Sequence, residues 1–484
     1  MSESSQSSGE HAALADSPDQ LVRTLRLPSV LMQSIGGMAP VASVAFTAQF
    51  LASYAGIAVP GTILVALVIM LALAYTLAQI AKLLPSAGGY YTFVRSAFGA
   101  RAGMAIGAAV LIYSLAPSMN SGYLSTALQS EIQASYNVNI PWQAYFVVII
   151  LSTGYFAYRG ISISGKALLV LGIFEIAVLL ALGLFGLISP GAGGVTLQSL
   201  NPLEAHGGLY LAVAFGMFFF AGWESAAPIA EESANPTRTV PRALVGSVLG
   251  IGIAFVIAVW GMISGWGVDN INGFVSSPNL APLTLAHHYW HGAWWLMLLA
   301  LVNSVIAISL AATLLVTRMV YAMSRVGVFP PIFSVLHPKY KTPKWATIGA
   351  VAFSLVVGLA AGQTVGPVNS FYIYGLAFTL LIIVVYIAGN LAVTKYYRKH
   401  HPEKFRFVSH ALIPVVTSLA LLYVGYASIW PFPAYPVAWG VWLAIAWILV
   451  LVSMMIFTSK GAEDEMEAIF LGDDLTPEMT AEFD

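Results

Sequence analysis

The chain has 484 residues, 58% hydrophobic and 8% charged, with a formal net charge of −1 and no cysteine. A soluble domain carries roughly 25% charged residues, so this composition excludes an ordinary water-soluble fold and fits a chain whose solvent is hydrocarbon. Near-neutral charge gives no electrostatic case for nucleic acid. The lack of cysteine removes disulfides, thiolate metal sites and cysteine nucleophiles from consideration.

Residues 1–24 are polar at their start, rich in Ser, Glu and Asp, and lack a basic stretch ahead of an apolar core. They read as a disordered cytoplasmic segment rather than a cleavable signal, which leaves the first span to direct insertion. A membrane crossing needs about 20 apolar residues. Runs of that kind predict spans at 29–54, 59–81, 100–128, 141–158, 166–188, 207–233, 241–266, 293–323, 345–361, 369–394, 408–428 and 436–457. The expected architecture is therefore an all-α polytopic membrane protein of about twelve transmembrane helices, with a transporter domain over 25–457 and an acidic cytoplasmic tail over 458–484. With the N-terminus inside, all 20 Lys and Arg fall in inner loops. This is the positive-inside pattern, and it places both termini in the cytoplasm of a multi-pass cell-membrane protein.

Two spans carry helix-hostile runs. The first reads Ser34-Ile35-Gly36-Gly37-Met38-Ala39-Pro40, and the sixth reads Phe219-Phe220-Ala221-Gly222-Trp223-Glu224-Ser225 with Pro228 beyond. Proline cannot donate to the helix ladder, and glycine has the poorest helix propensity short of it. Irregular backbone at membrane depth is tolerated where it is packed in protein or lines a cavity. Breaks in the first and sixth spans are five helices apart, so two five-helix units of opposite orientation are expected, at about 29–188 and 207–394. The last two spans, 408–457, are then peripheral. Half-helix ends in such a frame offer N–H groups to anions and carbonyls to cations.

The stretch Phe220 to Ala226, continued by Ala230-Glu231-Glu232-Ser233-Ala234-Asn235-Pro236-Thr237-Arg238-Thr239-Val240-Pro241-Arg242-Ala243, resembles the signature of amino acid–polyamine–organocation (APC) permeases. Leu84-Pro85-Ser86-Ala87-Gly88-Gly89-Tyr90-Tyr91 resembles that family's loop after span 2. Arg318-Met319-Val320-Tyr321-Ala322-Met323-Ser324-Arg325, with His337-Pro338 through Pro343, resembles its span 8 exit. The resemblance implies a LeuT-type fold of five plus five inverted helices. It also implies that Ser34, Gly36, Gly37 and Met38 present amides to a substrate carboxylate, and that Phe219, Phe220 and Ala221 receive an amino group on their carbonyls. Gly222 and Trp223 adjoin that site.

Glu175 and Glu224 are the acidic residues well inside spans. An ionisable group at bilayer depth is costly and functional by default, so both are proton-coupling candidates, and Glu224 also borders the expected substrate site. On span 3, Met119, Asn120 and Tyr123 follow Pro117, and Asn120 is a further substrate candidate. Span 8 carries Asn303, Ser304, Ser309 and Thr313; Ser304 and Ser309 are weak sodium-site candidates. His287, His288 and His291 cluster in an outer loop, and with no nearby carboxylate or thiolate expected, loop surface is favoured over a metal site. Glu231 and Glu232 are expected to pair with Arg238, Arg242 or other inner-face bases.

The expected function is a secondary active permease for amino acids, neutral ones first, by alternating access with proton coupling or exchange. An amine or polyamine permease is the alternative, and a potassium-type ion permease is third. The partners are then a small amino acid or amine, protons and the lipid bilayer, with no cofactor. The chain has no Walker A motif for ATP drive and no convergent catalytic set, so no enzyme activity is expected.

Overall fold

Pro40 decides where the first membrane helix ceases to be continuous. It has no N–H for the ladder, and its ring clashes with the preceding turn. The computed structural model describes residues 25–457 apart from 87 and 326; the expected terminal segments 1–24 and 458–484 lie outside them. In it, α1 runs Leu27–Met38 and α2 runs Pro40–Ala55, separated by Ala39 at φ 45° and ψ 71°. That left-handed conformation is uncommon for a residue with a side chain.

The chain continues through α3 (Val59–Ala81), α4 (Tyr90–Phe98), α5 (Ala100–Val110), α6 (Ala116–Tyr136), α7 (Trp142–Arg159) and α8 (Ile161–Ile188). Helix α9 (Leu209–Phe218) stops at the second break, where a tight turn leads into a short 3-10 segment, Trp223–Ala226. Beyond it lie α10 (Pro236–Trp266), α11 (Ile271–Ser276), α12 (Ala281–Trp290), α13 (Trp295–Arg325), α14 (Lys344–Thr364), α15 (Pro367–His400), α16 (Ile413–Ile429) and α17 (Trp439–Phe457). Among the described residues there is no strand, only isolated bridges joining Leu25 to Ser233 and Leu336 to Pro343.

Nine segments among the described residues are long and apolar enough to cross a membrane. The difference from twelve comes from where helices join or break and, in one case, from composition. Leu27–Ala81 runs two expected spans together as one 55-residue segment, made of α1, α2, a 3-10 turn at Gly56–Ala58 and α3. The run 207–233 yields only the ten-residue α9 before it breaks. The run 141–158 forms the 18-residue α7, long enough to cross but made less apolar by Gln143, Tyr145, Tyr155, Tyr158 and Arg159.

Helix α10 packs along α3, α8 and α1, and α13 lies against α1, α6 and α8. Helix α15 contacts α6, α16 and α17. Side chains on the outer faces remain apolar: Val68, Val170, Val356 and Leu449 are 61–68% exposed. In water this would be an aggregation surface, whereas in a bilayer it meets acyl chains. The chain is a multi-pass membrane protein.

Candidate functional site

The two breaks touch each other. A Cβ built on Gly37 would lie 2.4 Å from the Gly222 carbonyl oxygen, and one on Gly222 would lie 2.4 Å from the Gly37 oxygen. Gly222 also sits at φ +91°, which L side chains rarely adopt. Hydrogen bonds stitch the crossing in both directions. The Ser34 hydroxyl donates to the Trp223 carbonyl at 2.6 Å, and the Ser225 hydroxyl donates to the Gln33 carbonyl at 2.9 Å. Ser34, Gly37, Gly222 and Trp223, all expected beside the substrate, meet one another at this crossing. Ser34, Gly36, Gly37 and Met38 all lie within α1, so their amides close i to i−4 bonds inside it.

The amides at the start of α2 are occupied from neighbouring helices. Val41 N–H donates to Glu175 Oε1 at 3.0 Å, and Ala42 N–H donates to Ser304 Oγ at 3.0 Å. The Ser304 hydroxyl in turn donates to Glu175 Oε1. Asn303 Nδ2 donates to Glu175 Oε2 at 3.1 Å and to the Leu171 carbonyl at 3.2 Å. Glu175, 1% exposed, is thus a carboxyl group at a helix N-terminus, where the helix dipole favours negative charge. Of the two weak sodium candidates, Ser304 belongs to this network. The Ser309 hydroxyl is buried with no partner among the described residues.

Glu224 forms the second network. The hydroxyls of Tyr113, before α6, and Tyr386, on α15, both donate to its carboxyl group, Tyr386 at 3.0 Å. The Trp223 indole N–H donates to the Tyr386 oxygen at 3.1 Å. Trp223 is therefore anchored in the core rather than shaping the cavity wall.

A small cavity of about 30 Å³ lies between α2, α6, α13, α15 and the second break. Asn120 and Ala221 line it, as do Met119, Tyr113, Phe46, Phe218, Phe371 and Phe378. Phe219 and Phe220 instead pack edge-on against Phe255 of α10, at ring separations of 5.3 and 5.5 Å. Phe218, Phe371 and Thr47 also border a larger, mostly apolar chamber of about 510 Å³. Phe46 stacks on Tyr123 at 4.4 Å and meets Phe371 edge-on at 5.5 Å. Aromatic rings thus partition the small cavity from the larger one.

Residues 29–463 match the amino acid permease family. The chain belongs to that family, within the APC superfamily. The permease is 26% identical over 382 residues to the branched-chain amino acid permease BcaP of Bacillus subtilis, covering 72% of this chain and 76% of the relative. It is 26% identical over 361 residues to the low-affinity putrescine importer PlaP of Escherichia coli K12, covering 70% and 77%. It is also 24% identical over 433 residues to the methylthioribose transporter of Bacillus subtilis, covering 84% and 88%. The family and these relatives are transporters.

In the permease, Arg318 at one end of α13 pairs with Glu232, Nη2 to Oε1 at 2.6 Å, with side chains 3% and 13% exposed. The partner is thus another base than Arg238 or Arg242. The Glu232 carbonyl also accepts from Leu25 N–H at 2.9 Å, tying the start of the described chain to the loop after the second break. His287 corrects the expectation of a carboxylate-free loop: Glu131, 156 positions away in sequence, lies 2.7 Å from its Nε2. Among the described residues no group of three or more His, Cys, Asp or Glu is placed to hold a metal. Tyr113, Tyr386, Val41, Ala42 and Phe371 were not singled out by sequence, since no motif marks a tyrosine, an amide or a phenylalanine as a partner across helices.

Proposed function

We propose that this permease moves a small amino compound, an amino acid or amine, across the cell membrane by alternating access coupled to protons. The observation that carries the proposal is the direct contact of two helix breaks beside a buried cavity, with a carboxyl group held behind each break. In this reading twelve helices form two inverted five-helix units plus a peripheral pair, and both termini are cytoplasmic. The complete segregation of the 20 basic residues supports that orientation.

Substrate occupies the aromatic cavity beside Ala221 and Asn120, with the Phe218 and Phe371 rings moving to admit it. Glu224 and Glu175 are the proton-coupling groups. Each is at least 98% buried and hydrogen-bonded to an element of the other half, Glu224 to Tyr113 and Glu175 to Ser304. Gaining or losing a proton at either group changes which partners it can accept from, and so favours one arrangement of the helices over another. The relatives' names span branched-chain amino acids, putrescine and methylthioribose, which supports a small organic substrate.

The proposal is tested by uptake of a mixed amino acid and amine panel into proteoliposomes, with and without a pH gradient. Saturable uptake of at least one compound, increased by the gradient, is expected. Uptake of none, or cation flux at channel rates, overturns it.

A further inference from the structure

We infer that the substrate carries an amino group without a free carboxylate, an inference that rests on the permease reading above and narrows it. In a broken-helix transporter the natural seat for a substrate carboxylate is the N-terminus of a half-helix, where N–H groups lack intrahelical partners. Here every such group at the start of α2 is accounted for. Ala39 N–H closes onto the Ile35 carbonyl at 3.1 Å and the Gly36 carbonyl at 3.2 Å. Pro40 has no N–H at all. Val41 donates to Glu175 and Ala42 donates to Ser304.

The chain thus supplies its own carboxyl group where a substrate anion would otherwise sit. Glu175 is also secured from α13 by Asn303 and Ser304, so displacing it would break several buried hydrogen bonds at once. Whenever Glu175 is ionised, a second anion at the same helix end would add like-charge repulsion in a low-dielectric site.

The remaining cavity offers a substrate anion no charged partner. No Lys or Arg lines it. Tyr113, whose hydroxyl is bound to Glu224, forms part of the wall. The rings of Phe46, Phe218, Phe371 and Phe378 supply faces suited to an ammonium group.

The test compares matched pairs on the purified full-length wild-type protein: putrescine with ornithine, agmatine with arginine, isoamylamine with leucine, and tyramine with tyrosine. Affinity is read from thermal stabilisation across a concentration series, with the methyl ester of each amino acid as a third member that keeps the bulk and removes the charge. For the pair that binds, the amine and the ester are expected to bind roughly 100-fold more tightly than the free amino acid, because the latter buries a carboxylate without donors. An amino acid binding as tightly as its amine, or more tightly, overturns the inference while leaving the permease reading intact. Binding of no member of any pair overturns the permease reading itself, and the inference with it.

Discussion

Gly37 and Gly36 are neighbours on one helix, and the structure predicts opposite outcomes for the same substitution. In Gly37→Ala the new methyl would lie 2.4 Å from the Gly222 oxygen and 2.6 Å from Ser225 Oγ. Ordinary contacts begin near 3.4 Å, so the crossing of the two breaks must open by about 1 Å, and overpacking of that kind costs about 1–3 kcal/mol. The Ser225 hydroxyl would also have to leave the Gln33 carbonyl. In Gly36→Ala the methyl meets Ala307 Cβ at 3.6 Å, an ordinary contact, and alanine gains up to about 1 kcal/mol in helix propensity. The assay is the thermal transition of each purified variant in detergent, followed by uptake in proteoliposomes. Gly37→Ala is expected to lower the transition by several degrees and to cut uptake sharply, whereas Gly36→Ala melts at or above the wild type. Equal behaviour of the two variants would refute the backbone contact between the breaks.

Other variants probe the remaining parts of the site. Glu224→Gln keeps an acceptor for one tyrosine but cannot exchange a proton, so uptake should persist at reduced rate and lose its response to an imposed pH gradient. Tyr386→Phe removes a donor to Glu224 and leaves the Trp223 indole N–H without its acceptor, a loss of about 1–3 kcal/mol readable in thermal stability. Arg318→Ala leaves Glu232 without its partner at a largely buried position and should destabilise by up to about 3–5 kcal/mol, with Arg318→Lys recovering part of it. Phe371→Ala removes a ring shared by the small cavity and the large chamber. It should change the KM for transport and, because the ring is buried against Phe46, Tyr123, Phe218 and Tyr372, destabilise by up to about 3–5 kcal/mol.

Membrane-protein character was readable because bilayer thickness demands long apolar runs, and α3, α10, α13 and α15 fall where those runs lie. The breaks were readable for a related reason: Pro40 cannot join the helix ladder and Gly222 allows a φ of +91°, although Gly36 and Gly37 themselves lie inside α1. Partners across helices were not readable. Nothing local to Glu175 announces that Val41 and Ser304 will meet it, since those contacts depend on how α2, α8 and α13 cross. For the same reason the sequence did not show that 34–38 lie inside α1 while the N–H groups of Val41 and Ala42 reach to other helices. The sequence locates the disruption, but the dihedral angles at Ala39 decide which amides it exposes. His287 and Glu131 are 156 positions apart in sequence, so only the fold brings them together.

Counterflow tests the central claim most directly. Proteoliposomes are loaded with an excess of unlabelled substrate, and a trace of labelled substrate is added outside at a matched pH on both faces. An alternating-access permease exchanges one for the other and transiently concentrates the label inside, and the account predicts that overshoot for the wild type and for Glu224→Gln alike. Label that only equilibrates, without an overshoot, would contradict it.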